Sequence, residues 1–275
     1  MSENIDREVV AGFGDEWERF DQSGLSQEEL ERMFDNYFNI FPWDDLPADP
    51  VGFDLGCGSG RWAKFVAPRV GKLYLFDPAV QALAVARRNL AGSTNCEFAV
   101  AGADSIPLDD NTCDFGYSLG VLHHIPDTEG GLRACVAKLK KGAPFLLYLY
   151  YSFDNRPTWF RAVWKVSDSI RRFVSNLPHS LRSGVSQAIA IGVYFPLAKS
   201  ALVLEKAGVK VENLPLSQYR NNSLYVMRND ALDRFGTRLE QRFSKQEIAE
   251  MMARCGLERV KFSETSFWTA VGYKS

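Results

Sequence analysis

The sequence predicts an α/β protein with a mostly parallel sheet, a helical insertion and an antiparallel terminal hairpin. Three observations carry this. From Val51 to Tyr151, short apolar runs alternate with stretches of helical spacing, which is the pattern of βαβ units. Over residues 152–235 that rhythm stops, and Pro157, Pro178 and Pro196 punctuate helical-looking sequence. Two strand-like runs then follow at Leu257–Phe262 and Phe267–Tyr273, joined by the polar Ser263–Ser266.

Taken in order, residues 1–46 are acidic and aromatic-rich and read as an N-terminal helical cap, with helical spacing through Trp17, Phe20, Met33, Phe34, Tyr37 and Phe38. Residues 47–151 form the sheet core. Its strands are Val51–Leu55, Leu73–Phe76, Cys96–Val100, Phe115–Leu119 and Phe145–Tyr150, and Val80–Leu90 and Leu132–Leu139 are among its helices. Residues 152–235 read as a helical insertion, and 236–275 supply the last core helix and the hairpin. That helix starts at a capping box, Ser244-Lys-Gln-Glu247, whose side chains satisfy the first helix N–H groups. Ile248, Met251 and Met252 give its apolar face, and Gly256 stops it.

The 275 residues are 46% hydrophobic and 24% charged, which excludes a disordered or collagen-like chain. Met1–Val10 lacks the basic and apolar regions of a secretory signal. The longest apolar stretches, Phe145–Tyr151 and Ala188–Ala198, fall short of the roughly 20 residues of a membrane span, so no stable membrane insertion is expected. The five cysteines (Cys57, Cys96, Cys113, Cys135, Cys255) form no CxxC pair and histidine is scarce. This predicts no metal site and reduced thiols in a cytoplasmic protein. The net charge of −2 argues against nucleic acid as a partner. The sum hides a segregation: residues 1–150 carry 13 basic and 23 acidic side chains, residues 151–220 carry 10 and 4.

The densest motif is Val51-Gly-Phe-Asp-Leu-Gly-Cys-Gly-Ser-Gly60. A strand ends near Asp54, and Gly56, Gly58 and Gly60 lead into a helix at Arg61. Glycines let the backbone turn tightly and approach a ligand. The spacing is not the G-x-G-x-x-G of dinucleotide binders, and with Asp54 at the strand end it favours a zwitterionic ligand over a phosphorylated one. The second strand ends in Asp77, placed where a carboxylate accepts both hydroxyls of a ribose. Asp77-Pro78 equally fits a helix N-cap with proline at the first helical position.

These motifs, with Ala103-Asp104-Ser105-Ile-Pro107, Cys113-Asp114-Phe, Leu119-Gly-Val-Leu-His-His124 and Leu139-Lys-Lys-Gly142, resemble in order those of class I S-adenosylmethionine-dependent methyltransferases. The resemblance covers residues 51–150. It implies a Rossmann-like seven-stranded sheet with the last strand antiparallel, and S-adenosylmethionine bound at the C-terminal strand ends. It further implies that Gly56, Cys57, Gly58 and Gly60 border the methionine portion and that Asp54 helps hold its ammonium. Asp77 and Pro78 then adjoin the ribose, Ala103, Asp104 and Ser105 the adenine, and Leu119 the donor pocket. Where relatives often read Gly-Asp-Ala, this chain has Ala101-Gly102-Ala103, so the acid on the adenine amino group is missing. Either Asp104 substitutes, or Asp104 is a solvated turn residue.

Methyl transfer asks the protein to position an acceptor and, where needed, take its proton. His123 and His124, just past the fourth strand, are the candidate bases, although such a pair also serves purely structural ends. Tyr150, a further catalytic candidate, Tyr151, Asp154 and Arg156 leave the fifth strand where an acceptor pocket belongs; they fit sheet packing and a turn ion pair as well. Trp17 and Tyr37 fit core better than a cap on the donor. In the insertion, Arg171, Arg172 and Tyr219 are candidates for an anionic acceptor, against a solvated basic face. Ile189–Leu197, flanked by Arg182 and Lys199, offers a third reading, surface contact with a membrane.

The reading is therefore an enzyme that methylates an O or N atom of a small, anionic or sugar-linked metabolite. C-methylation of an isoprenoid diphosphate or quinone-type precursor is the alternative, and a non-catalytic donor-binding partner a second. No Asn-Pro-Pro-Tyr motif for flipped bases follows the fourth strand. Oligomeric state is not legible.

Overall fold

Continuous apolar runs become the central strands of a seven-stranded sheet. The computed structural model describes residues 4–153, 156–265 and 268–275, so Asp154 and the beginning of the run at Phe267 lie outside the described residues. The strands are β1 (Val51–Leu55), β2 (Lys72–Asp77), β3 (Cys96–Val100), β4 (Phe115–Leu119), β5 (Pro144–Tyr148), β6 (Leu257–Phe262) and β7 (Ala270–Lys274), in the order β3-β2-β1-β4-β5-β7-β6. Strands β1 to β5 pair in parallel, and β7 runs antiparallel to both β5 and β6. The expected Rossmann-like sheet with its terminal hairpin is thus present. Every residue of β4 and β5 is buried, as suits strands covered on both faces, whereas the edge strands β3 and β6 are partly exposed. Strand order reverses between β1 and β4, and such switch points open a crevice at the carboxyl ends of the strands.

The contacts divide the chain into two compact units. One comprises Met1–Gln22, Leu30–Ser152 and Leu239–Ser275, the other Ser23–Glu29 and Phe153–Arg238. The sheet unit carries α1 (Arg7–Arg19), most of α2 (Gln27–Phe38), α3 (Ala63–Val66), α4 (Val80–Asn89) and α5 (Thr128–Lys138). Two expectations are corrected. The helix after the glycine loop opens at Ala63 rather than Arg61 and lasts one turn before a 3-10 turn at Ala67–Arg69; Pro68 has no N–H to continue it. Asp77 is not a helix cap, because α4 begins at Val80 with Ala79 in the cap position.

The second unit holds α6 (Thr158–Ser175), α7 (His179–Ile189), a π-helical turn (Ala190–Tyr194), α8 (Phe195–Lys206) and α9 (Leu224–Gly236). Its core gathers Val174, Ala190, Tyr194, Ala198, Met227, Ala231 and Phe235. Gly192 and Pro196 do not interrupt the helix. The wider π turn takes up the glycine, and Pro196 falls in the first turn of α8, where its missing N–H removes little. Ser180–Lys206 is consequently one 27-residue helix, long and apolar enough to cross a membrane by length and composition, contrary to the expectation from its separate stretches. Ala190, Tyr194 and Ala198 are buried in the unit's own core, while Ile191, Val193, Phe195 and Leu197 of the same helix are exposed. Back in the sheet unit, α10 (Lys245–Arg254) starts at Ser244 with both bonds of the capping box in place.

Candidate active site

A cleft lies at the carboxyl ends of β1, β2 and β4, with α1 as its outer wall. Of the residues singled out in the sequence, Gly56, Asp77, Pro78, Ala103, Leu119 and His124 line it. So do Ile5, Val9, Phe13, Trp17 and Val121, which sequence reasoning missed or gave to the core. Val9, Phe13 and Trp17 recur every four residues along one face of α1; that stripe was a legible signal, but what it covers was not. Tyr37 does pack in the core, against Trp62 and Tyr148.

The glycine loop is wired internally. Gly56 N and Cys57 N donate to Phe76 O, at 2.7 and 3.0 Å, and Gly60 N donates to Cys57 O. Gly58 N donates to Asp77 Oδ2 at 2.9 Å. The loop keeps no row of N–H groups for a phosphate, which agrees with a zwitterionic ligand. Gly56 and Gly58 adopt φ of +78° and +53°, and a Cβ on either would collide with Val121 or with the Trp17 indole. The close approach that glycine permits is thus taken up partly by this chain's own side chains. Gly60 lets the loop pack on Ala86 and Leu90, and Cys57 is a buried core thiol whose pKa burial pushes well up.

Asp77 is the hinge of the arrangement. Its Oδ1 accepts from Ala79 N at 2.8 Å while Oδ2 holds Gly58. Burial raises its pKa to about 6, against the opposing pull of those two bonds. Each carboxylate oxygen keeps a further lone pair for a ligand hydroxyl. Asp54 is buried, and Oδ2 has no hydrogen-bond partner among the described residues. Burial, reinforced by the charge of Asp77, lifts its carboxyl well above the usual range, with the Tyr117 hydroxyl acting the other way. Two buried acids, one with an orphaned oxygen, fit a ligand that brings N–H donors and positive charge. The residues present suit S-adenosylmethionine: Asp77, on the cleft wall, would hold its ribose, whereas Asp54 is buried and does not line the cleft.

The adenine end departs from expectation. Asp104 accepts from Asn4 N at 2.9 Å, and Asn4 exchanges two side-chain bonds with the backbone of Asp127. Asp104 therefore latches the N-terminal arm, and Ser105 Oγ accepts from Gly102 N within the turn. A Cβ on Gly102 would meet Ile5 at 2.7 Å, so Ile5 packs where relatives often carry an acid.

The two histidines separate. His124 lines the cleft, and its Nδ1 lies 2.7 Å from Leu239 O. That contact assigns the proton to Nδ1 and makes Nε2 the basic nitrogen. His123 is fully buried between His124 and Tyr150, with ring centroids at 4.0 and 3.9 Å. Neither of its ring nitrogens has a hydrogen-bond partner among the described residues. Burial first, then His124 and Arg242, hold its pKa well below the usual value. His123 is a neutral core residue, which corrects its candidacy as a base. Tyr150 packs on His123 under the Arg242 guanidinium and does not line the cleft. Residues 239–243 brace the pair: Gln241 N donates to His123 O, and Arg242 joins the Glu240 carboxylate to Tyr151 O. No sequence pattern marked that segment.

The acceptor candidates elsewhere are engaged by the chain's own groups. Tyr151 is buried against Trp268. Arg156 Nη1 bonds Glu212 O and Asn213. Tyr219 packs on Tyr194 and hydrogen-bonds Asp230, whose pKa burial raises to about 6 against that bond. Arg171 is buried, its Nε 2.7 Å from Asp168 Oδ1 and its Nη1 on Thr237 O and Arg238 O; Arg172 takes the other Asp168 oxygen from an exposed position. Burial and bonding, not charge alone, decide these roles. Arg171→Ala is expected to destabilise the helical unit by about 1–3 kcal/mol, because it takes the donor from the Thr237 and Arg238 carbonyls while Arg172 still holds Asp168. Arg172→Ala is expected to change stability by less than about 1 kcal/mol. Chemical denaturation checks both, and an Arg171 variant of native stability would return that residue to ligand binding.

Comparison with known proteins agrees with this geometry. Residues 53–147 match the family model described as a methyltransferase domain. The chain is 22% identical over 170 residues to a ubiquinone biosynthesis O-methyltransferase of Xanthomonas axonopodis, covering 61% of this chain and 66% of that protein. It is 26% identical over 157 residues to the protein of the same name from Methylocella silvestris, covering 50% and 61%. It therefore spans about two-thirds or less of the length of these relatives. An S-adenosylmethionine-dependent methyltransferase structure from Thermotoga maritima superposes with a TM-score of 0.51 at 15% identity over 96% of this chain and 100% of that one, which shows a shared fold.

Proposed function

We propose that this chain is a class I S-adenosylmethionine-dependent methyltransferase that methylates an oxygen or nitrogen of a small acceptor, with His124 as the base; the methyltransferase-domain match over residues 53–147 supports it. The observation that carries the proposal is His124 on the donor cleft with its Nδ1 fixed on Leu239 O. The donor supplies a methyl group on a sulfonium, which is displaced in line. His124 Nε2 takes the proton of the acceptor O–H or N–H as the new bond to carbon forms and the carbon–sulfur bond breaks. Phe13, 5.1 Å from the imidazole, orients the ring, and α1 excludes water from the reacting atoms.

The names of the curated relatives favour oxygen over carbon, and a phenolic, quinone-type precursor as the acceptor. The apolar walls at Val9, Phe13 and Ile125 suit such a ring. An anionic acceptor loses support, because Arg156, Arg171 and Tyr219 are engaged structurally.

The test is a screen of phenols, catechols and amines with isotopically labelled S-adenosylmethionine, scored by mass spectrometry beside calorimetric donor binding. Transfer to a phenolic oxygen is the expected result. Donor binding without transfer to any of these, or to a metabolite extract, would instead mark a silent donor-binding protein.

A further inference from the structure

Helix α6 carries an apolar stripe that the fold leaves uncovered. Trp159, Val163, Val166, Ile170 and Phe173 follow one another at intervals of three and four residues, which places them on one helix face. Their exposures run from 47% at Trp159 and Ile170 to 70% at Phe173. The helix packs inward by a different face, through Asp168, Arg171, Val174 and Ser175. The same unit exposes Leu197 and Val203 on the long helix that contains α7 and α8. Soluble proteins rarely leave contiguous apolar surface of this kind without an occupant.

The charges indicate which occupant. The exposed ionic side chains of α6 are cations, Arg161, Lys165 and Arg172, about 120–160° around the helix from the stripe. Its one acid, Asp168, is buried and shared by Arg171 and Arg172, so a positive charge is left over. An apolar stripe bearing Trp and Phe with a cationic opposite face is the pattern of a helix lying in a lipid interface. Anionic headgroups supply the complementary charge. The long helix is held by the unit's core through Ala190, Tyr194 and Ala198, which suits lying on a bilayer rather than crossing it.

We infer that the helical unit docks on an anionic membrane surface, with Trp159, Val166 and Phe173 reaching into the acyl boundary. This stands independently of the acceptor chemistry proposed above.

Flotation of the full chain with phosphatidylcholine vesicles, alone or with a quarter phosphatidylglycerol, tests it. The chain is expected to float with the anionic vesicles at least about tenfold more than with the neutral ones, and less as salt rises. Val166→Ser with Phe173→Ser should lower flotation about tenfold while the thermal melt and donor binding stay as in the parent. Arg161→Gln with Lys165→Gln should lower it several-fold and flatten the salt dependence. Tryptophan quenching by brominated lipid should require the anionic vesicles. The inference is overturned by flotation no greater than in a lipid-free control, or by stably folded serine variants that float like the parent. It is also overturned by a concentration-dependent dimer that the serine substitutions abolish.

Discussion

Asp77→Ala is expected to weaken S-adenosylmethionine binding by roughly 1.5–3 kcal/mol, the scale of lost charge-assisted hydrogen bonds. The carboxylate holds Gly58 and Ala79 as well as facing the cleft, so its removal loosens the glycine loop at the same time. Asp77→Asn keeps the shape and isolates the charge. The pH dependence separates the two contributions. Burial raises this pKa from 3.8 to about 6. In the donor-free protein, the group therefore stabilises the fold below its unfolded value, and that contribution is lost as pH rises through about 6. Donor binding has the opposite sign, because ribose hydroxyls and a cationic ligand prefer the ionised form. Affinity should be flat above about pH 7 and fall toward tenfold per unit below about 6. Calorimetry from pH 5 to 8 checks this, and a parent protein with constant affinity across that range would remove Asp77 from the ribose.

His124→Gln should lower kcat by about 100- to 10,000-fold, the range of a positioned base, while the donor Kd stays unchanged. His123→Ala should act differently. Its ring is sealed between Tyr150 and His124, so the expected loss is about 2–5 kcal/mol of stability, the scale of large buried side chains. Stable His123 variants with the kcat of the His124 variants would reverse the assignment.

Much of this could be seen in the chain before folding, where the signal was local. Strands β1, β2, β4 and β5, the capping box at Ser244 and the glycine turns each announce themselves within about ten residues through periodicity or turn chemistry. What was not legible depends on partners distant in sequence. Arg171 reads as a surface cation until Asp168 and the carbonyls of Thr237 and Arg238 enclose it. His123 and His124 are indistinguishable as neighbours, yet Leu239, 115 residues on, fixes the tautomer of one, while burial neutralises the other. Trp17 shows a helical spacing but not the cleft it walls. Gly192 and Pro196 look like breaks because propensity is averaged over contexts, and here a π turn absorbs them.

The contact between Ile5 and Gly102 joins two parts of the chain that would otherwise drift independently in evolution. A Cβ at position 102 would meet the end of the Ile5 side chain at 2.7 Å, so a larger residue there requires that side chain to move. A larger residue at position 102 is therefore expected to be tolerated best beside a smaller one at position 5. A sheet grafted from a relative that keeps the acid would need its own N-terminal arm transplanted with it.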